Sequence, residues 1–329
     1  MGLIPLGDQL VCGIGWACRR GSDREIIRYH HPERDSIMDL ASWGFRYWPF
    51  DRTFAADRFF ASPQHDEAMS RLLFLVEESR RCGLVTGAAG TGKTYLMSLT
   101  QQRAQRLGRM VVRCDATGLT CEEVLLQVAT ASQVPCDLNS TAAQLWYGLR
   151  ARFAALSLIR QPVVLLIDHL DSSDGGVLQA IRRLNQLADL VGLKLTIVLA
   201  VTDQVVPALL QDMVELRIEL NPWSVGETSQ FIHDATRQAG RLQRLFTEEA
   251  IQEIQEITRG IPTKIVLLAN LSLLAVGGNE VQVVTRDCVE AAAAEFLPQA
   301  QRPGGFAPSP AAGLSKTKRR PSSVGMLGR

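Results

Sequence analysis

Gly87-Ala88-Ala89-Gly90-Thr91-Gly92-Lys93-Thr94 fits the pattern G-x-x-x-x-G-K-[ST], a phosphate-binding turn between a strand and a helix. Leu84-Val85 leads in as a short buried strand, and Tyr95 to Leu107 leads out as a helix. Glycines permit the positive φ angles that aim successive N–H groups at phosphate oxygens. The helix that follows sets the positive end of its dipole beneath the same anion. In this pattern Lys93 reaches the β- and γ-phosphates and the Thr94 hydroxyl ligates the metal, so ATP with Mg²⁺ is the expected cofactor. The candidate nucleotide-binding residues are Gly87, Ala88, Ala89, Gly90, Thr91, Gly92, Lys93 and Thr94, with Tyr95 directly after them.

Downstream, Val163-Val164-Leu165-Leu166-Ile167-Asp168 is a continuous apolar run ending in an acid. Unbroken apolarity suits a central parallel strand buried on both faces. A carboxylate at its C-terminal end is where Mg²⁺ is held, so Asp168 joins Thr94 as a candidate metal ligand. His169 and Asp171 follow, and either could accept a proton from an attacking water. Both could equally be plain loop residues. Lys194 to Val201 is another apolar strand, and Thr202 at its tip could sense the γ-phosphate or simply cap a helix.

The remaining elements alternate. Met110 to Cys114 and Glu215 to Leu220 read as strands. Cys121 to Ser132, Ala142 to Ile159, Gly175 to Val191 and Val205 to Met213 read as helices. The expected fold class is therefore α/β, a P-loop NTPase with a doubly wound parallel sheet over residues 81–222. From Asn221-Pro222 the periodicity becomes purely helical. Ser224-Val225-Gly226-Glu227 is a capping box, Thr247 caps a second helix, and Gly260-Ile261-Pro262 breaks the chain before a third, Thr263 to Leu274. A fourth runs from Thr285 to Phe296, which gives a C-terminal helical lid over 223–296.

Ahead of the core, residues 38–80 hold Trp43, Phe45, Phe50, Phe54, Phe59 and Phe60 in an irregular segment. A helix follows, with Ser62 as N-cap, Pro63 in the first turn and Ala68, Leu72, Leu75 and Val76 on one face. Residues 1–37 show no periodic apolar face and read as a disordered extension, with a functional arm as the alternative. Residues 297–329 are rich in Pro, Gly, Ser and Ala and carry Lys316, Lys318, Arg319 and Arg320, which reads as a disordered basic tail.

The 329 residues carry a net charge of +1, which offers no global electrostatic case for nucleic acid. The 7 cysteines lack a C-x-x-C pair and suit free thiols in a reducing compartment. A zinc site from Cys12, Cys18, His30 and His31 is disfavoured. Ile265 to Val276 is too short to span a membrane, and the start carries Asp8 without a basic n-region, so the expected location is cytoplasmic.

Trp-Gly-Phe at 43–45, Pro-Phe at 49–50, Ser-Pro-Gln-His at 62–65, the 87–94 loop, Leu-Leu-Ile-Asp at 165–168 and Gly-Ile-Pro at 260–262 carry a resemblance. From Trp43 to Phe296 the chain resembles AAA+ ATPases of the general secretion pathway protein A type. It is also similar to transposition-helper and origin-recognition ATPases. The resemblance implies ATP bound between the α/β core and the lid. Relatives carry Glu where this chain has His169. The Arg that usually follows Gly-x-Pro is Thr263, with Lys264 next to it. An Arg near the last core strand often reaches a neighbour's ATP in such oligomers, and Arg217 holds that place here. The secretion proteins usually continue into a membrane span and a peptidoglycan-binding domain, and neither is read in this sequence. The functional expectation is a slow ATP-driven switch acting on a protein partner or assembly. A DNA-associated ATPase and a non-hydrolysing scaffold are the alternatives.

Overall fold

The computed structural model describes residues 40–51, 60, 62–173, 175–202, 212–276 and 283–296. The 1–37 extension, the basic tail, Phe54, Phe59 and the four Cys and His residues above lie outside them. So does the helix expected over 205–213, except for Asp212 and Met213, which form a turn.

The chain opens with a helical turn, α1 (Leu40–Trp43), and α2 (Pro63–Glu77). The core then runs β1 (Cys82–Gly87), α3 (Lys93–Arg106), β2 (Met110–Asp115), α4 (Cys121–Ala131) and α5 (Ala142–Leu158). It continues through β3 (Val163–Asp168), α6 (Gly175–Val191), β4 (Leu195–Ala200) and β5 (Leu216–Leu220). The strands pair in parallel in the order β2-β3-β4-β1-β5. Every residue of β1, β3 and β4 is buried, because helices cover both faces of these central strands. The edge strand β5 alternates instead, with Ile218 and Leu220 buried and Arg217 and Glu219 exposed.

One face of the sheet presents Val85, Leu166, Val198 and Ile218 to Leu72 and Leu75 of α2 and Leu96 and Met97 of α3. The other presents Leu84, Val112, Leu165 and Ile197 to Leu149 and Phe153 of α5 and Ile181 and Leu184 of α6. Capping boxes open α4 at Thr120 with Glu123 and α5 at Thr141 with Gln144.

The helices expected to form a lid are α7 (Val225–Gln238), α8 (Glu248–Thr258), α9 (Pro262–Val276) and α10 (Arg286–Phe296). Ser224 and Glu227 form the expected capping box of α7. The aromatic segment belongs to this lid. Trp43, Phe45 and Phe50 share a cluster with Trp223, Ile232, Ile251 and Ile265. Trp48 Nε1 donates to Asn270 Oδ1, and Arg241 Nη1 donates to the Trp43 carbonyl at 3.0 Å. The boundary that the sequence suggests between 38–80 and the lid is therefore crossed by a common core.

The junction of core and lid turns on Gly260. Its φ is +73°, and a Cβ there meets the Trp223 carbonyl oxygen at 2.1 Å. The Trp223 N–H donates to the Gly260 carbonyl at 2.8 Å, so the two backbones are in direct register. Gly108 has a similar φ of +71° but nothing within 4 Å of a Cβ. Gly260→Ala is expected to cost roughly 3 kcal/mol, a fall of about 6–12 °C in thermal midpoint, and Gly108→Ala only about 1 kcal/mol. Equal midpoints for the two variants in calorimetry would contradict this packing.

Candidate nucleotide site

The 87–94 loop connects β1 to α3 at the C-terminal end of the sheet. Lys93 is buried, and its Nζ donates to the carbonyls of Gly87 at 2.6 Å and Ala88 at 3.0 Å. The Thr91 hydroxyl donates to Ala88 O at 2.9 Å. Gly92, with φ +102°, is the N-cap of α3. A Cβ on Gly92 meets His65 Nε2 at 2.9 Å, so glycine is required twice over, by conformation and by space. Thr94 is exposed at the first turn of α3.

His65 explains part of the Ser-Pro-Gln-His sequence. Ser62 is the N-cap of α2 by position, but its hydroxyl does not cap the helix. It lies 2.8 Å from His65 Nδ1 instead, while His65 Nε2 sits 3.1 Å from the Thr91 carbonyl. A carbonyl only accepts, so Nε2 carries the proton and Nδ1 accepts from Ser62. Burial pushes the imidazole below its ordinary value, and the Thr91 bond and the charges of Glu227 and Asp66 offset only part of that. Gln64 grips Asn221 with both amide atoms. Nε2 donates to its carbonyl at 2.9 Å, and Oε1 accepts from its N–H at 3.0 Å. Asn221 begins the passage from β5 into the lid.

The lid also reaches the loop. The backbone N–H and hydroxyl of Thr263 donate to the Gly90 carbonyl at 3.2 and 2.9 Å. Lys264 is exposed and is not among the residues lining the adjacent cavity, whereas Thr263 is. That cavity, of about 350 Å³, lies between loop, lid and N-terminal segment. Its walls include Tyr47, Phe50, Phe60, Tyr95, Trp223 and Phe231, with Asp51 and Asp234. Trp223 and Phe231 are 5.1 Å apart between ring centroids.

At the tip of β3, Asp168 is 1% exposed. Its Oδ1 accepts the His169 N–H at 3.0 Å. Its Oδ2 is buried without a hydrogen-bond partner, and Arg113 Nη2 stands 3.8 Å away. An orphaned carboxylate oxygen of this kind suits a divalent cation. His169 adopts a left-handed conformation, φ 53° and ψ 38°. Its Nδ1 lies 3.2 Å from Oδ1 of Asp115, the register partner of Asp168 on β2. Burial raises the Asp115 carboxyl, but hydrogen bonds from Thr117 and the nearness of His169 outweigh it and hold the group below the ordinary value.

Asp171 and Thr202 form a pair. The Thr202 N–H and hydroxyl donate to the two Asp171 oxygens at 3.1 and 2.7 Å. Burial again raises this carboxyl, and the Thr202 bonds and the charge of Lys93 outweigh it, so its pKa is lowered. Arg217 stands apart. It is exposed on β5 opposite Leu84, three residues back from the Leu220–Gly87 pair, or about 10 Å along the strand. The sequence reading did not assign Asp115, Arg113, Gln64, Trp223 or Phe231 to the site. Asp115 had a signal, as the acid ending β2 beside the acid ending β3.

Residues 76–209 match the AAA domain family. The chain is 25% identical over 223 residues to general secretion pathway protein A of Aeromonas hydrophila. That match covers 66% of this chain but 41% of the relative's length. The solved Orc1 protein of Aeropyrum pernix, in complex with DNA, superposes with a TM-score of 0.59 at 18% identity, over 77% of this chain and 70% of that one. Cdc6p of Pyrobaculum aerophilum gives 0.58 at 15% identity, over 79% and 72%. At these identities the structural likenesses establish the fold alone. The chain thus matches the AAA domain family over residues 76–209, its described core has the fold of the P-loop AAA+ ATPases, and it is similar to general secretion pathway protein A over part of that relative's length.

Proposed function

We propose that this chain binds Mg·ATP between loop, core and lid, hydrolyses it slowly, and uses the cycle as a conformational switch on a protein partner or assembly. The observation that carries the reading is the loop itself. Its carbonyls at Gly87, Ala88, Gly90 and Thr91 are taken by Lys93, Thr263 and His65. Anchoring carbonyls inward leaves the other face of the loop for N–H donors, which suits an anion. Lys93 turns to the β- and γ-phosphates, and the base enters the aromatic cavity beside Gly90 and Tyr95. Thr94 and Asp168 would hold Mg²⁺, which would neutralise phosphate charge there.

His169, Asp171 and Thr202 face the reacting end in this reading. His169 replaces the Glu of relatives with a ring tied to Asp115, and Asp171 is already occupied by Thr202. Slow turnover follows, because neither is a carboxylate free to polarise water. Arg217, exposed on β5, is proposed to reach ATP on a neighbouring copy in a homo-oligomer, and Lys264, exposed beside Thr263, to reach nucleotide bound by its own chain. A DNA-associated role is the second reading. It rests only on the fold shared with a protein solved on DNA.

Lys93→Ala removes a charge-assisted bond to phosphate worth about 1.5–3 kcal/mol, so Mg·ATP affinity should fall about 10- to 100-fold in calorimetry. Unchanged affinity would refute nucleotide binding at this loop. His169→Glu should raise steady-state phosphate release by about 10²-fold or more at saturating ATP, with affinity unchanged. His169→Ala should have little effect if the ring is idle and nearly abolish turnover if it is the base. Asp171→Asn tests the remaining carboxylate in the same assay. Brisk wild-type hydrolysis, indifferent to both His169 changes, would contradict the idea that this position limits the rate.

A further inference from the structure

In a parallel sheet all strands enter from one edge, and here that edge lies opposite the nucleotide loop. The ends of α2, α3, α5 and α6 and the turns into β1, β2, β3 and β4 make up this edge. Hydrogen bonds join them into one surface. Arg109 Nη2 donates to the Glu77 carbonyl at 3.0 Å, and Gln161 Nε2 to the Gly108 carbonyl at 2.8 Å. The Ser157 hydroxyl donates to Gly192 O at 3.0 Å, and Arg81 stands 3.7 Å from Asp189.

Two features coincide on this edge. The first is exposed apolar bulk. Leu158 is 85% exposed, Ile159 71% and Leu190 71%, with Phe74 and Leu107 beside them. They sit on helix ends where nothing in the fold requires a large apolar side chain. The second is positive charge. Arg80, Arg103, Arg106, Arg160 and Lys194, all exposed, share the edge with those residues. The acids there are Glu77, Glu78, Asp189 and Glu215, the last in the turn into β5 with its N–H on the Cys82 carbonyl, and Asp189 is engaged by Arg81. The near-zero charge of the whole chain hides this local excess of bases.

We propose that this edge docks on an anionic lipid bilayer surface. Leucine and isoleucine tips gain by entering the boundary between headgroups and acyl chains, while arginines remain at the lipid phosphates. A nucleic acid satisfies the arginines but leaves the apolar tips wet, which makes lipid the better fit. Docking here leaves the nucleotide cavity and lid at the far end of the strands, facing away from the membrane. The inference does not depend on the proposed hydrolysis.

The test is co-sedimentation of the full chain with vesicles of phosphatidylglycerol and phosphatidylcholine, against phosphatidylcholine alone. Wild type should bind the anionic vesicles, weakly or not at all the neutral ones, and release as salt rises. The double variants Leu158→Glu with Ile159→Glu, and Arg106→Glu with Arg160→Glu, should each weaken binding about tenfold or more. Both should keep wild-type thermal midpoint and Mg·ATP affinity, since neither pair touches the core or the loop. Vesicle binding retained by both variants would put it elsewhere in the chain and overturn the proposal, as would no binding at all. Duplex DNA binding lost with the arginines but not with the apolar pair would identify a nucleic-acid surface instead. Sedimentation showing that the apolar variant only breaks an oligomer would assign the edge to a second copy.

Discussion

The loop at 87–94 can serve a phosphate only if its backbone keeps one geometry, and three side chains hold it there, one of its own and two from distant parts of the chain. Lys93, at the start of the next helix, takes two of its carbonyls. His65, from the helix before the sheet, takes a third. Thr263, from the lid, takes a fourth. Each contact is a neutral or charge-assisted hydrogen bond of modest net worth. Their importance is positional, since a glycine-rich segment has more backbone freedom to lose than one without glycine. The lid is thus attached to the loop directly, at Gly90, and indirectly, through Gln64 and Asn221.

Much of the core was legible in the sequence. Continuous apolar runs at 163–168 and 195–200 mark strands covered on both faces, and the alternation at 216–220 marks the edge strand. Ser224 and Glu227 announced α7. The same signature at Thr120 and at Thr141 was equally visible. The lid's aromatic core was less legible, because Trp43, Phe45 and Phe50 precede it by almost two hundred residues and lack periodicity. Packing alone joins them to Trp223 and Ile265.

The site divides in the same way. Lys93, Thr94 and Asp168 follow from local pattern, since a strand, a glycine-rich turn and a helix position them without help from elsewhere. The partners of His169 and Asp171 do not. Asp115 meets His169 because β2 and β3 are register neighbours, although 54 positions separate them. Asp171 meets Thr202 across the tips of β3 and β4. Ser62 looked like an ordinary helix cap, and only the fold reveals that its hydroxyl orients His65. Strand order, which the sequence does not spell out, decides which side chains become partners.

What matters most is whether nucleotide binds between this loop and the lid cavity. A crystal structure of the full chain with Mg²⁺ and a non-hydrolysable ATP analogue tests it most directly. Lys93 Nζ should then lie on the β- and γ-phosphates in place of the Gly87 and Ala88 carbonyls, with Asp168 at the metal and the base against Trp223 and Phe231. Nucleotide bound elsewhere, or Lys93 still on those carbonyls at saturating analogue, would contradict it.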